Sequence, residues 1–201
     1  MKKTMLVAGV VICLIALSIL ACNSDARPSK NTEGMDLSKP VNDKDSLIKK
    51  GEYLVNIMGC GDCHSPKIMG KFGPEPDPER LLSGHPSGMP FPKVDTADLK
   101  SFVLFNPMAT AAAGPWGVSF AANLTSDESG VGNWTEEQFL TSIRKGKFKG
   151  LENGRTLLPP MPWPVYSAHI KDEDLKAIFA YLKSTKPVRN IVHAPKDLSK
   201  G

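Results

Sequence analysis

The sequence predicts a mainly α domain of three to five helices with long irregular loops and room for a short hairpin. Three observations carry this: apolar stripes at helical spacing near both ends of the domain, a capping signature ahead of a third helix, and a long middle rich in Pro and Gly.

The first helix is expected from about Asp45 to Met58. Leu47, Ile48, Leu54, Val55 and Met58 share one face there, and Gly59 stops the run. Gly51 inside it is less favourable than alanine and implies close approach by another element. From Ser65 to Ala122 the chain reads as irregular. Pro74, Pro76 and Pro78 are expected to prevent any regular element, with short strands or turns near residues 102–105 and 117–120. Thr135 followed by Gln138 predicts a capping box, with Trp134 and Phe139 at the staple positions. Phe139, Leu140 and Ile143 give that helix its buried face, and Arg144, Lys145 and Gly146 suit its end. The last helix begins near Asp172. Leu175, Ile178, Phe179 and Leu182 form its stripe, and Pro187 ends it.

The organisation expected along the chain is a signal over residues 1–21, a flexible tether over 22–44, a folded domain over 45–195 and a C-terminal tail over 196–201. Lys2 and Lys3 precede an apolar run from Met5 to Ala21 that is short for a membrane span and suited to export. It ends in Ile19-Leu20-Ala21-Cys22, which resembles the site at which bacterial lipoproteins are cleaved and lipidated, although Leu20 is large for its place. The alternatives are cleavage without lipid and an uncleaved anchor. The expectation is an exported lipoprotein, held at a membrane through Cys22 and facing the periplasm or the cell exterior. Asn23 to Asp43 is polar and interrupted by Pro28, Gly34 and Pro40, as a tether requires. The formal charge of +4 falls to +2 when Lys2 and Lys3 leave with the signal, so charge gives no argument for nucleic acid as a partner.

Four cysteines in an exported chain suggest disulfides, but none can be assembled here. Cys13 lies in the signal, Cys22 is the expected lipidation point, and Cys60 and Cys63 stand two residues apart with His64 directly after. A CxxC pair has three physical readings: a redox dithiol, half of a zinc site, or a thioether anchor for haem. The histidine favours the third, because two sulfurs so spaced meet the two vinyl groups of one porphyrin edge while His64 addresses the iron. Zinc requires two further ligands, and the domain has no other cysteine; a redox dithiol requires a surrounding βαβ pattern, which is absent. One covalent haem c is therefore expected, with Cys60 and Cys63 as its thioethers and His64 as an axial ligand.

The second axial position decides the function. An open site admits small ligands or peroxide chemistry, and a filled one suits electron transfer. Met161 is the favoured ligand, in Leu157-Leu158-Pro159-Pro160-Met161-Pro162-Trp163, where flanking prolines stiffen the backbone. Met58 reads as core filler, while Met69, Met89 and Met108 are loop residues that remain open. His85, in Ser83-Gly84-His85-Pro86, is the principal rival and otherwise a solvated side chain or a local hydrogen-bond donor; His169 and His193 read as surface groups.

Cys60 to His64, Gly114-Pro115-Trp116-Gly117 with Asn123-Leu124-Thr125, Gly130-Val131-Gly132-Asn133-Trp134, and Leu158 to Trp163 with Asp174-Leu175-Lys176-Ala177-Ile178 together resemble the bacterial class I c-type cytochromes. These are single-haem domains, some of them haem subunits of periplasmic dehydrogenases. The resemblance covers about Gly51 to Pro195. It implies a cytochrome c-like fold around the haem, axial ligation by His64 and Met161, and first and last helices packed across each other with Gly51 toward the stripe of Phe179. The insert between His64 and the capping box is long for the family and leaves the haem propionates unassigned; Trp116, Asn123 and Arg155 are chemically suitable donors. The implied function is a carrier of single electrons, not an enzyme, with a dehydrogenase, reductase or oxidase as redox partner. The alternatives are the haem subunit of a dehydrogenase complex, a peroxidase-like enzyme if the sixth position is open, and a haem-based sensor, for which no receiving domain is evident.

Overall fold

The computed structural model describes residues 44–91 and 93–198; the expected signal, the lipidation at Cys22 and nearly all of the tether lie outside these. Helix α1 spans Lys44–Ile57 and α2 spans Cys60–His64. A hairpin of β1 (Lys67–Gly70) and β2 (Gly73–Pro76) follows. Strands β3 (Leu104–Phe105), β4 (Ala111–Gly114) and β5 (Gly117–Phe120) form an antiparallel sheet in that order. Helices α3 (Glu136–Arg144), α4 (Trp163–His169) and α5 (Asp172–Ser184) complete the domain.

The expectation of a mainly α domain is corrected: the structure is 37% helical and carries two antiparallel sheets of five strands. β3 and β5 lie where short strands or turns are expected, near residues 102–105 and 117–120; β1, β2 and β4 lie where the chain reads as irregular, for separate reasons. In β2, Pro74 and Pro76 stand opposite Met69 and Lys67, two residues apart and therefore on one edge. A two-stranded sheet leaves that edge unpaired, so the missing N–H groups break no ladder bond. In β4, Ala111, Ala112, Ala113 and Gly114 are all buried, so the strand shows no alternation, and alanine carries no β preference to reveal it.

The helices follow the apolar pattern. Val55 of α1, Phe139 and Ile143 of α3, and Leu175, Ile178, Phe179 and Leu182 of α5 are buried in one cluster with Leu82 and Val131. The Phe139 and Phe179 rings stack with centroids 5.2 Å apart. Each such side chain contributes on the order of 1.5–3 kcal/mol when fully buried. The capping box is formed: Thr135 Oγ1 accepts from the Gln138 N–H at 3.1 Å, and Gln138 Oε1 accepts from the Thr135 N–H at 2.8 Å. Arg144 leaves α3 to bond the carbonyls of Ser167 (2.6 Å) and Ile170 (2.5 Å) and the carboxylate of Asp172 (2.5 Å), joining three helices.

Gly51 marks the contact of α1 with α5. A Cβ there would lie 1.9 Å from the Ala177 carbonyl oxygen and 2.8 Å from Tyr181 Cβ, so the expected close approach is made to the line of Ala177 and Tyr181 and not to Phe179. Lys50 and Asp174 bridge the same crossing at 2.6 Å.

A second, smaller cluster of Leu99, Ala113 and Val118 lies on the three-stranded sheet. Val118 also pairs with Lys196, so the residue at the start of the expected tail is built onto β5. His85 is buried beside this sheet; of its two expected roles apart from ligation, the local hydrogen-bond donor is the one observed and the solvated side chain is not. Its Nε2 donates to the Met89 carbonyl at 3.0 Å, and Nδ1 accepts from Thr110 Oγ1 at 2.9 Å. Phe120 and His193 face the ring. Burial holds His85 below the ordinary imidazole range, a direction the neighbouring His193 reinforces and the Met89 bond partly opposes. The unfolded chain therefore takes up a proton near pH 6.5 that the folded chain refuses, and stability from this group is complete above that pH and declines below it. Denaturant titrations from pH 7.5 to 5 are expected to show a fall of up to about 1.4 kcal/mol per pH unit from this residue. His85→Gln should flatten that slope; an identical slope in the variant would contradict the assignment.

Candidate functional site

The site is built on α2, a single helical turn. Gly59 precedes it with φ of 66°, a left-handed conformation that glycine adopts without strain and that turns the chain sharply out of α1. The turn brings Cys60, Cys63 and His64 onto one short element. Both cysteines are partly buried, and no disulfide joins them. Burial pushes Cys60 up to about 11 and raises Cys63 as well, with Asp62 adding to both. Neither is an activated thiolate of the kind a redox dithiol requires.

His64 is held at two points. Its Nδ1 donates to the Ala122 carbonyl at 2.8 Å, and its backbone carbonyl accepts from the Gly84 N–H at 2.7 Å. Burial keeps its imidazole below the usual range, opposed in part by the Ala122 bond. An Nδ1–H committed to a carbonyl fixes the tautomer and leaves the Nε2 lone pair as the ligating group. No hydrogen bond from Nε2 to a described residue competes for it. The Ala122 carbonyl is itself placed by a ladder between two segments of the middle region: the N–H of His85 donates to Ala121 at 2.9 Å, and that of Leu124 to Leu82 at 2.9 Å. Ser65 Oγ accepts from the Leu82 N–H at 2.9 Å, tying the same ladder to the end of α2. Lys67, at the root of the hairpin, donates to the carbonyls of Gly61 (3.2 Å), Asp62 (2.8 Å) and Ser65 (2.8 Å), the groups that a helix end leaves without partners.

Met161 is half-buried and packs with Cys60 against the large cluster, as do Leu54, Met58, Leu124 and Tyr166. The structure thus brings the cysteine turn and the proline loop to one apolar face. His85 is removed from consideration as a ligand, since both of its nitrogens are engaged by Thr110 and Met89. The other proposed haem neighbours make their contacts within the protein. Trp116 Nε1 donates to Ser119 Oγ at 3.2 Å. Asn123 donates to the carbonyl of Val188 (2.8 Å) and to Ser129 Oγ (3.1 Å), and accepts from the N–H and hydroxyl of Thr125 (2.9 and 2.8 Å). Arg155 is exposed and lies 4.0 Å over the Phe148 ring.

Sequence reasoning missed the groups that orient His64: the Ala122 carbonyl, the Gly84 amide, and the side chains of Ser65 and Lys67. The first two are backbone atoms and leave no residue-type signal. Lys67 has one, a cation three residues beyond the helix end, where orphan carbonyls collect.

Two thiols on one turn, a histidine with an oriented tautomer and a thioether on the same apolar face make a donor set that fits haem of the c type. Among the described residues, no three His, Cys, Asp or Glu side chains converge as a zinc site requires.

No family model matches the chain. It is 34% identical over 138 residues to the gluconate 2-dehydrogenase cytochrome c subunit of Pantoea cypripedii, covering 68% of this chain and 23% of that one. It is 30% identical over 146 residues to the cytochrome c subunit of the quinone alcohol dehydrogenase of Gluconobacter oxydans, covering 72% and 23%. The fructose dehydrogenase cytochrome subunit of Gluconobacter japonicus is 26% identical over 174 residues, covering 86% and 27%. The chain spans about a quarter of the length of these relatives. Their common description as cytochrome subunits supports a place for this chain among the c-type cytochromes, with haem c as the implied cofactor.

Proposed function

We propose that the chain is an electron-transfer cytochrome: one haem joined to Cys60 and Cys63 by thioether bonds, its iron held between His64 and Met161, exchanging single electrons with a dehydrogenase outside the cytoplasm. The observation that carries the reading is the seating of His64, whose Nδ1 is fixed on Ala122 while Nε2 is left to ligate. The haem, when bound, supplies a one-electron iron couple. His64 and Met161 would hold the iron from two elements, and the apolar cluster against which Met161 and Cys60 pack would help to keep water from it. Redox partners follow from the relatives, which are named as subunits of gluconate, alcohol and fructose dehydrogenases. Among the described residues no helix is long and apolar enough to cross a membrane. In this reading a lipid on Cys22 supplies the anchor, and the polar segment from Asn23 to Asp43 lets the domain turn toward its partners.

Met161→Ala tests the ligation. The variant is expected to lose the sulfur-to-iron charge-transfer band of the oxidised protein completely, to have a lower reduction potential, and to bind carbon monoxide when reduced. An unchanged oxidised spectrum would remove Met161 from the iron.

A further inference from the structure

The loop that carries Met161 has few donors of its own. Pro159, Pro160 and Pro162 provide no N–H, and the Met161 N–H makes only a long bond of 3.3 Å to the Leu158 carbonyl. The loop must be fixed through its carbonyls, and one buried side chain reaches them. Ser119, on β5 and 8% exposed, donates to the Pro159 carbonyl at 2.6 Å, two residues before Met161.

The direction of that bond is set locally. A hydroxyl has one proton, and the Ala112 carbonyl, at 3.4 Å, is the weaker acceptor for it. Trp116 Nε1 donates into Ser119 Oγ at 3.2 Å, occupying a lone pair and leaving the proton for Pro159. The indole is itself seated against Gly114, where a Cβ would come within 2.4 Å of its ring. On the other side, β5 is fixed by the exchange of backbone bonds between Val118 and Lys196 at 2.8 and 3.0 Å. Ser119 thus joins the three-stranded sheet to the stretch of the loop between the Leu157–Gly146 bond and the start of α4, where the prolines offer no donor.

We propose that Ser119, oriented by Trp116, is a positioning residue for Met161: by holding Pro159 it keeps the thioether on the iron against competing ligands. This rests on Met161 as the axial ligand.

The test is titration of the oxidised, haem-loaded full-length protein with imidazole, read by loss of the sulfur-to-iron band. Ser119→Ala should bind imidazole roughly three- to tenfold more tightly than the wild type, the factor one hydrogen bond contributes, with haem content unchanged. Ser119→Thr, which restores the hydroxyl, should return toward the wild-type affinity. Ser142→Ala, a buried serine on α3, should leave it unchanged. Wild-type affinity in Ser119→Ala, or an equal shift in Ser142→Ala, would overturn the proposal while leaving Met161 as ligand. A wild-type protein without the band would overturn the ligation and the positioning role together.

Discussion

Replacing Cys60 and Cys63 together by serine is expected to abolish haem retention under denaturing conditions, so that the polypeptide separates from all colour on a denaturing gel. Cys60 and Cys63 are the two sulfurs of the α2 turn, and serine hydroxyls do not form the thioether. The effect on the fold should also be large. Leu54, Met58, Cys60, Leu124 and Met161 are only partly buried by protein atoms, and a chain lacking a covalent haem leaves that apolar face to water. Single variants, Cys60→Ser or Cys63→Ser, keep one bond and should retain colour at lower yield. A double variant that keeps its haem through denaturation would remove the thioether attachment from the account.

Gly51→Val is expected to cost about 3 kcal/mol or more, and to lower the midpoint of thermal unfolding by roughly 6–12 °C for a domain of this size. The reason is contact and not helix propensity, because valine and alanine both favour an exposed helix over glycine. The Cβ position lies 1.9 Å from the Ala177 oxygen, a backbone atom of α5 that has no rotamer by which to escape. Helices α1 and α5 would have to separate, exposing Val55, Ile178 and Leu182. Thermal and denaturant unfolding of Gly51→Ala and Gly51→Val distinguish the two causes. Stabilisation by alanine would contradict the crossing described here.

Helices α1, α3 and α5 were legible in the sequence because each is written in side-chain periodicity; α2 and α4 are short, bury no residue and were not located. Leu175, Ile178, Phe179 and Leu182 bury as their spacing requires, and Thr135 with Gln138 makes the reciprocal cap that its residue types specify. Gly51 was legible as a close approach, though not its partner, which is a carbonyl of Ala177. The sheets were legible only in part: β3 and β5 lie where short strands or turns were expected, near residues 102–105 and 117–120, whereas β1, β2 and β4 were not readable. A strand of three alanines and a glycine, buried on both faces, has no alternation to read, and prolines in β2 signal irregularity unless the free edge is known. At the site, type and spacing singled out Cys60, Cys63, His64 and Met161 as the candidates for covalent and ligand chemistry. What orients them was not readable, since His64 is set by a carbonyl 58 residues away. His85 shows the same limit from the other side: its neighbours in sequence suggest a loop, and its burial depends on Thr110, Phe120 and His193, which only the folded sheet brings near.

A potentiometric titration of the purified full-length protein, followed by its visible absorption, addresses the central claim directly. A single haem closed by His64 and Met161 predicts one transition with a slope of about 59 mV per tenfold change in the ratio of oxidised to reduced protein, and no change in the reduced spectrum under carbon monoxide. The absence of any visible transition, as a Cys60–Cys63 dithiol without haem would give, or a reduced protein that takes up carbon monoxide, would contradict it.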